Sequence, residues 1–217
     1  VFVPTLRENA KGVSWTEDNL DGYIIPLDEF YVAKPTDTAA KINAELAEGK
    51  HLILTPGIYN IDEAIKINEA DTVVLGLGYA TLKPTKGNQC MTVGNVGGVI
   101  IAGVLFDAGR VTSSTLLTVG TSKNSTSHAD NPIALCDTFY RVGGADAVPC
   151  KATTCVVINS NDVIGDNFWV WRADHGAGVG WYKNMGSYGV VINGDNVTTY
   201  GLMVEHFQKY QTQWNGN

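Results

Sequence analysis

The sequence is short of charge, has no basic cluster, few cysteines and no long apolar run, and each shortage removes a class of protein. Charged side chains make up 17% of the 217 residues, 15 basic against 22 acidic, for a formal net charge of −7. A phosphate backbone or an anionic membrane surface would be repelled, so nucleic-acid binding is not expected. No run of about 18 consecutive apolar residues is present, which excludes a membrane-spanning helix. There is no G-x-S-x-G elbow, no H-E-x-x-H pair and no phosphate loop. The glycine turn in "GLGYAT" has no helix after it, which argues against a dinucleotide site. No His stands at ligand spacing from the cysteines, so no metal is expected, and no other cofactor. The first residue is Val1 rather than Met. The expectation is that a leader was removed or that the sequence begins inside a longer protein.

Four cysteines are present, Cys90, Cys136, Cys150 and Cys155. "CKATTC" is short enough to suggest a Cys150–Cys155 loop, leaving Cys90 with Cys136, although four cysteines allow three pairings. Two sequons, Asn124-Ser-Thr126 and Asn196-Val-Thr198, make Asn124 and Asn196 candidate glycosylation sites. Together with the even cysteine count they favour a secreted, extracellular protein.

What the chain has is glycine, 24 residues of it, between short apolar runs. Residues 1–33 lack sustained periodicity and read as an extended segment along the outside of the main body, with "YIIPL" as a possible edge strand. "PTDTAAKINAELAEGK" predicts a helix over 37–48, capped by Thr36 or Asp37 and ended by Gly49, with Ala39, Ile42 and Leu46 on one face. From residue 50 onward, runs of three to five mostly β-branched residues recur: "HLIL", "TVVLGLG", "GVIIAGVLFDAG", "CVVINS", "FWVWRA", "GLMVEH". They are apolar at successive positions, which suits parallel strands buried on both faces. The run from Val156 recurs 34 residues later from Val190, with Asn193 over Asn159, Val197 over Val163, Leu202 over Phe168 and Val204 over Val170. One such unit cannot bury its own inner face, but stacked units can. The expected fold is therefore all-β, a right-handed parallel β-helix over 34–217 with an N-terminal capping α-helix covering the first coil. Val157, Val163 and Val170 would stack under Val191, Val197 and Val204. "QTQWNGN" offers no polar cap, so the column is expected to be the N-terminal part of a longer β-helix, completed by further chain or by a companion polypeptide.

"PTDTAAKINAELAEGKHLILTPGIYNI", with its Asp-Thr-Ala-Ala helix start and "LILTPGIY" first coil, resembles the opening of the pectate-lyase-like β-helix superfamily. The later runs, from "TVVLGLGYATLKP" to "GVVINGDNVTTYGLMVEHFQKYQTQWNGN", are similar to secreted microbial β-helix proteins related to laminarinase-type β-1,3-glucanases. The resemblance covers about residues 34 to 217. It implies a carbohydrate-active protein and leaves the substrate to be argued from residues.

Cleaving a glycosidic bond takes two carboxyls about 5 to 10 Å apart, one protonated and one ionised. Sugar rings also need aromatic faces to rest on. The 34-residue alignment puts Trp171 over Glu205 and Arg172 over His206, with Asp174 two positions further on. Coils lie about 4.8 Å apart, so Asp174 and Glu205 can flank one sugar. Asp174 and Glu205 are thus the candidate acid and base, and His175 would tune one of them. Trp171 and Trp181 are candidate sugar platforms, with Arg172 and His206 as substrate-binding residues. Each also has a structural reading. Outward tryptophans suit a cover by the N-terminal segment, Asp174-His175 suits a turn, and Glu205 suits a solvated strand position. Asp107, Asp195 and Asn196 read as turn or strand-end residues. The expected function is hydrolysis of a neutral polysaccharide such as β-1,3-glucan. The alternatives are a non-enzymatic glycan-binding or structural β-helix, or a lyase on an anionic polymer, which Arg172 and Lys183 keep open.

Overall fold

The computed structural model describes residues 1–7, 21–123 and 125–217. The chain divides into two compact units, Val1–Phe30 and Tyr31–Asn217. In the first, β1 (Phe2–Pro4) and β2 (Gly22–Ile24) pair antiparallel with Phe2 opposite Ile24. The expected edge strand at "YIIPL" thus pairs with the start of the chain itself.

The second unit opens within β3 (Phe30–Ala33), which is followed by the one α-helix among the described residues, α1 (Ala39–Ala47). Its N-cap is Thr38, not Thr36 or Asp37: the Thr38 side chain accepts from Lys41 N at 3.2 Å. Asp37 instead accepts from Lys34 N and Tyr31 Oη, each at 2.8 Å, which fixes the turn before the helix. Gly49, at φ +84°, supplies the left-handed residue that ends it.

Six coils follow. The first is β4 (His51–Leu54), β5 (Ile58–Ile61) and β6 (Ile65–Ile67). The second is β7 (Val73–Gly76), β8 (Thr81–Pro84) and β9 (Met91–Val93). The third is β10 (Ile100–Ala102), β11 (Leu105–Asp107) and β12 (Ser113–Val119). In the fourth the first two strands merge into β13 (Ile133–Val142), followed by β14 (Ala152–Ile158). The fifth holds β15 (Val163–Arg172) and β16 (Tyr188–Ile192), and the sixth β17 (Thr198–Glu205) and β18 (Tyr210–Trp214). Every strand pairs parallel with its counterpart one coil away. The result is an all-β unit of curled parallel sheets with one short helix.

Two inward columns form its core. One runs Tyr59, Leu82, Phe106, Tyr140, Val170 and Val204, and the other Ile65, Met91, Leu117, Val156 and Val190. Phe106 and Tyr140 stack at 4.9 Å between ring centres. Fully burying each such side chain contributes about 1.5–3 kcal/mol. The pairs Val156–Val190 and Val157–Val191 both keep the 34-residue offset, but Val156 and Val190 carry the core and Val157 and Val191 are half-buried. Ala39, Ile42 and Leu46 of α1 are buried in the same core cluster. Asn43 of that helix donates to Ala64 O at 2.9 Å and accepts from Lys66 N at 2.8 Å, occupying backbone groups along β6, the terminal strand of its sheet.

Polar ladders mark the corners. Asn193 Nδ2 donates to Asn159 Oδ1 at 2.8 Å, and Asn215 Nδ2 donates to Asn193 Oδ1 at 2.7 Å. A second corner turns within the merged strands, where Asp137 (φ 49°) and Asn167 (φ 58°) take the left-handed conformation, as does Gly201 (φ 59°). Asn167 Nδ2 donates to Asp137 Oδ1 across them. Short amide and carboxylate side chains tolerate that conformation because they hydrogen-bond locally.

The expected disulfides do not form: all four cysteines are free thiols. Cys155 lies inside extended strand β14. Rising about 3.3 Å per residue, that strand carries Cys155 about 10 Å past Ala152, beyond disulfide reach of Cys150. Cys90 is fully buried and donates to Leu82 O, whereas Cys136 is only half-buried, on the outward side of β13. The sheet wall separates them. Burial pushes the Cys155 thiol well above its ordinary pKa, so it is inert packing.

Candidate functional site

The site assembles where β15 ends. Alternation along that strand sends Phe168 and Val170 into the core and Trp169 and Trp171 outward. Parallel pairing sets Trp171 beside Glu205 of β17. Immediately after Glu205, His206 adopts φ 67°, swinging its ring off the strand axis. Its Nε2 then stands 3.7 Å from Asp174 Oδ2 and 3.9 Å from Glu205 Oε2. Two carboxylates from successive coils therefore share one imidazole, and they can be no further apart than those two distances combined. That bound is compatible with the roughly 5–10 Å between the carboxyls of a glycosidase pair.

His175 Nδ1 lies 2.8 Å from Asp174 Oδ1. This hydrogen bond holds the Asp174 carboxyl below the usual carboxylate range against the opposing effect of desolvation, with a backbone hydrogen bond and the nearby His206 adding to it. Asp174 is thus set as an anion and acceptor. Its side chain is 48% exposed and that of Glu205 42%, so both are open to a ligand from outside.

Arg172 occupies a different place from the one its spacing suggested. It is 4% exposed and lies beneath the site. Its Nε donates to Asn184 O at 2.8 Å, Nη1 to His206 O at 3.1 Å, and Nη2 to Gly180 O and Trp181 O at 3.1 and 3.0 Å. The guanidinium also lies 5.2 Å from the Trp181 ring centre. Four of its five N–H donors go to backbone carbonyls, so it braces the floor of the site. Five-donor planar geometry is what lets one residue hold four carbonyls at once. Desolvation lowers its pKa, without threatening its charge.

Asn184, which sequence reasoning passed over, is fully buried and completes this brace. Its Nδ2 donates to Val142 O and Ala173 O, and its Oδ1 accepts from Gly180 N at 3.0 Å. The sole signal was a lone Asn inside a glycine-rich loop. Together Arg172 and Asn184 pin the loop that presents Trp181, which is exposed. A depression of about 310 Å³ results, lined by Arg172, Asp174, Gly180, Trp181, His206 and Phe207. Lys183, kept as a lyase candidate, is exposed on the same loop.

The remaining candidates lie elsewhere. Asp107, read as a strand-end residue, is a buried ion-pair centre: Arg141 donates to both its oxygens at 3.0 and 3.2 Å, and Lys83 lies 3.2 Å from Oδ2. Asn196 is exposed at a turn (φ 54°), and Asn124 falls outside the described residues. No group of three or more His, Cys, Asp or Glu able to hold a metal occurs among the described residues. No helix among them is long and apolar enough to cross a membrane.

Comparison with known proteins adds a family context. The family model described as the LAM55 pectate lyase-like domain matches residues 30–217. An exo-beta-1,3-glucanase of Streptomyces sp. (strain SirexAA-E / ActE) is 54% identical over 216 residues, 100% of this chain and 35% of that protein. A non-secreted LysM effector, LysM15, of Penicillium expansum is 27% identical over 61% of this chain and 11% of its own length. Two solved structures of sacteLam55A from Streptomyces sp. SirexAA-E, one of them a variant in complex with glucose, superpose with a TM-score of 0.95. They are 54% and 53% identical, and cover 99% of this chain and 39% of theirs. The chain thus spans little more than a third of the length of these Streptomyces relatives.

Proposed function

The chain belongs to the LAM55 pectate lyase-like family, and from that premise we propose that it is part of a secreted glycoside hydrolase acting on β-1,3-glucan. The observation that carries this reading is the 54% identity, over the complete chain, to a protein named an exo-beta-1,3-glucanase. The curled parallel sheets are read as a right-handed parallel β-helix over 34–217, with α1 as its N-terminal cap and residues 1–33 as a separate segment. The relatives' greater length supports reading it as one part of a longer protein. Secretion, and glycosylation at Asn124 and Asn196, belong to the same proposal.

In this reading the Asp174–His206–Glu205 cluster is where the chain meets glucan. Asp174, held ionised by His175, acts as the base that takes a proton from the attacking water as its oxygen bonds to the anomeric carbon. Glu205 or His206 supplies the proton to the leaving oxygen. Trp181 gives one pyranose an apolar face to lie on. Arg172 contributes by bracing that loop.

Reducing-sugar release from laminarin tests the reading. Asp174→Asn and Glu205→Gln are each expected to lower turnover about 100-fold or more, as loss of a general acid or base does. Unchanged turnover in both variants removes the site. A second reading, glycan binding without hydrolysis, is favoured by one observation: the carboxyl of Asp174 is held ionised. Laminarin binding with no sugar release would establish it. An absorbance rise on pectin or alginate, from unsaturated uronate, would instead mark a lyase.

A further inference from the structure

Trp171 points outward from β15, yet it has no open face to offer a sugar. Its indole lies between two other rings. Trp169 stacks on it at 5.5 Å between centres and 20° between planes, and the His175 ring meets it at 5.1 Å. His175 Nδ1 in turn lies 2.8 Å from Asp174 Oδ1. One line of contacts therefore runs from the outer face of β15 to the Asp174 carboxylate.

The last of those contacts needs support. The His175 side chain is 80% exposed and that of Asp174 48%. An exposed pair of this kind adds little on its own, because water competes for both partners. A surface imidazole can also turn about its side-chain torsions and offer either nitrogen. Two features restrict it here. First, the backbone after His175 is seated on the fourth coil: Gly144 N donates to Ala177 O at 3.1 Å, and Ala177 N donates to Gly144 O at 3.0 Å. Gly176, at φ +100°, permits that approach, since a Cβ there would run into Gly144 O. A Cβ on Gly144 would stand 2.9 Å from Ala173 Cβ and 3.4 Å from both Trp171 Cη2 and His175 O, so this glycine lies against the Trp171 ring and the His175 backbone alike. Second, the Trp171 ring packs against the imidazole itself. An ionised Asp174 oxygen only accepts, so in this orientation the proton sits on Nδ1.

We propose that Trp171 is a positioning residue: backed by Trp169, it holds the His175 imidazole in the orientation in which Nδ1–H serves Asp174, and so keeps Asp174 an acceptor aimed at the attacking water. Its effect on turnover rests on the reading of the cluster as a glucan-hydrolysing site; the orientation of His175 stands on the ring contacts alone. The logic is that of any catalytic pair in which a neighbour fixes tautomer and direction and takes no part in bond breaking. Other charged and titratable groups surround the pair. His206 Nε2 is 3.7 Å from Asp174 Oδ2, Glu205 lies beyond His206, and Arg172 beneath holds backbone carbonyls. Asp146, on the loop that meets Gly178, is paired with Arg110.

Histidine nitrogen NMR and carboxyl-carbon titration of the full 217-residue chain, without ligand, test the orientation. The parent chain should show neutral His175 in the Nδ1–H form. In Trp171→Ala that form should give way to a mixture of tautomers, with the Asp174 carboxyl titrating at higher pH. Trp171→Phe, which keeps a ring, should restore both signals. Trp171→Leu, which keeps apolar bulk without a flat ring, should behave as Trp171→Ala and serves in its place if the alanine variant does not fold. On laminarin, Trp171→Ala should lower kcat roughly tenfold, as misplacing a catalytic group does, and leave KM within about twofold, because the ring touches no sugar. An unchanged Nδ1–H form and Asp174 titration in the ring-less variants overturn the proposal, whatever happens to stability. A raised KM with kcat intact overturns it in favour of a sugar platform. Loss of the Nδ1–H form in Trp171→Ala, with no laminarin cleavage by the parent chain, upholds the positioning and overturns the hydrolase reading.

Discussion

Arg172 shows how much one residue's role depends on what is stacked around it. In the sequence it is a cation beside two tryptophans and an Asp-His pair; in the fold it is buried, holding Asn184, Gly180, Trp181 and His206 by their carbonyls. Removing it would strand those carbonyls away from water. Arg172→Ala is therefore expected to destabilise the unit by about 3 kcal/mol, and Arg172→Lys to recover only part, because an ammonium cannot span four acceptors. Urea unfolding checks both. His175 acts differently. It is exposed, and its bond to Asp174 is the leading cause of that carboxyl's lowered pKa. In His175→Ala the Asp174 pKa should rise toward the ordinary carboxylate value, which carboxyl-carbon NMR titration would report; no upward movement would show that the His175 bond does not set it. The cluster residues were legible in the sequence because the 34-residue offset already laid Trp171 over Glu205. Asn184 was not, because nothing in its neighbourhood tells which carbonyls a loop will bring to it.

Among the elements, the corner ladder and the helix were legible to different degrees. Asn159 and Asn193 could be matched from the repeat, but Asn215 joins them from a coil only 22 residues on, outside the 34-residue period. Asn193 is the middle rung, donating to Asn159 and accepting from Asn215. Asn193→Ala should cost about 2 kcal/mol, two net hydrogen bonds, and Asn215→Ala about half of that, since its other bond, accepted from Gln213 Nε2, is exposed to solvent. Equal costs, measured by urea unfolding, would argue against a continuous ladder. Gly194, beside the middle rung, has no room for a Cβ, which would run into the Ser160 carbonyl. The helix stripe of Ala39, Ile42 and Leu46 was plain from spacing. Its cap was not, since Thr36, Asp37 and Thr38 are all competent, and Asp37 was recruited by Tyr31 and the Lys34 backbone. Which of three adjacent caps is used depends on where the preceding strand delivers the chain.

For the molecule as a whole, pH is the natural probe. Asp37, Asp62, Asp146, Asp174 and Asp195 all have pKa values lowered by hydrogen bonds or nearby cations. A carboxyl whose folded pKa lies below its unfolded value binds protons more readily when unfolded, so its stabilisation is full above about pH 4 and is lost as pH falls through the folded value. The urea midpoint should therefore be level from pH 5 to 7 on account of these groups and fall below about pH 4. A midpoint rising in acid would contradict the pairings. Fold class was written in the sequence, because successive apolar residues in short runs have no solution but to be buried between neighbouring coils, and a run that recurs must meet its copy. Which outward residues share a site was decided by tertiary structure, since side chains 31 or more positions apart become neighbours only when the turns fix register. The cysteines show the limit most simply: their spacing allowed a bridge, and the extended backbone between Cys150 and Cys155, with the sheet wall between Cys90 and Cys136, took it away.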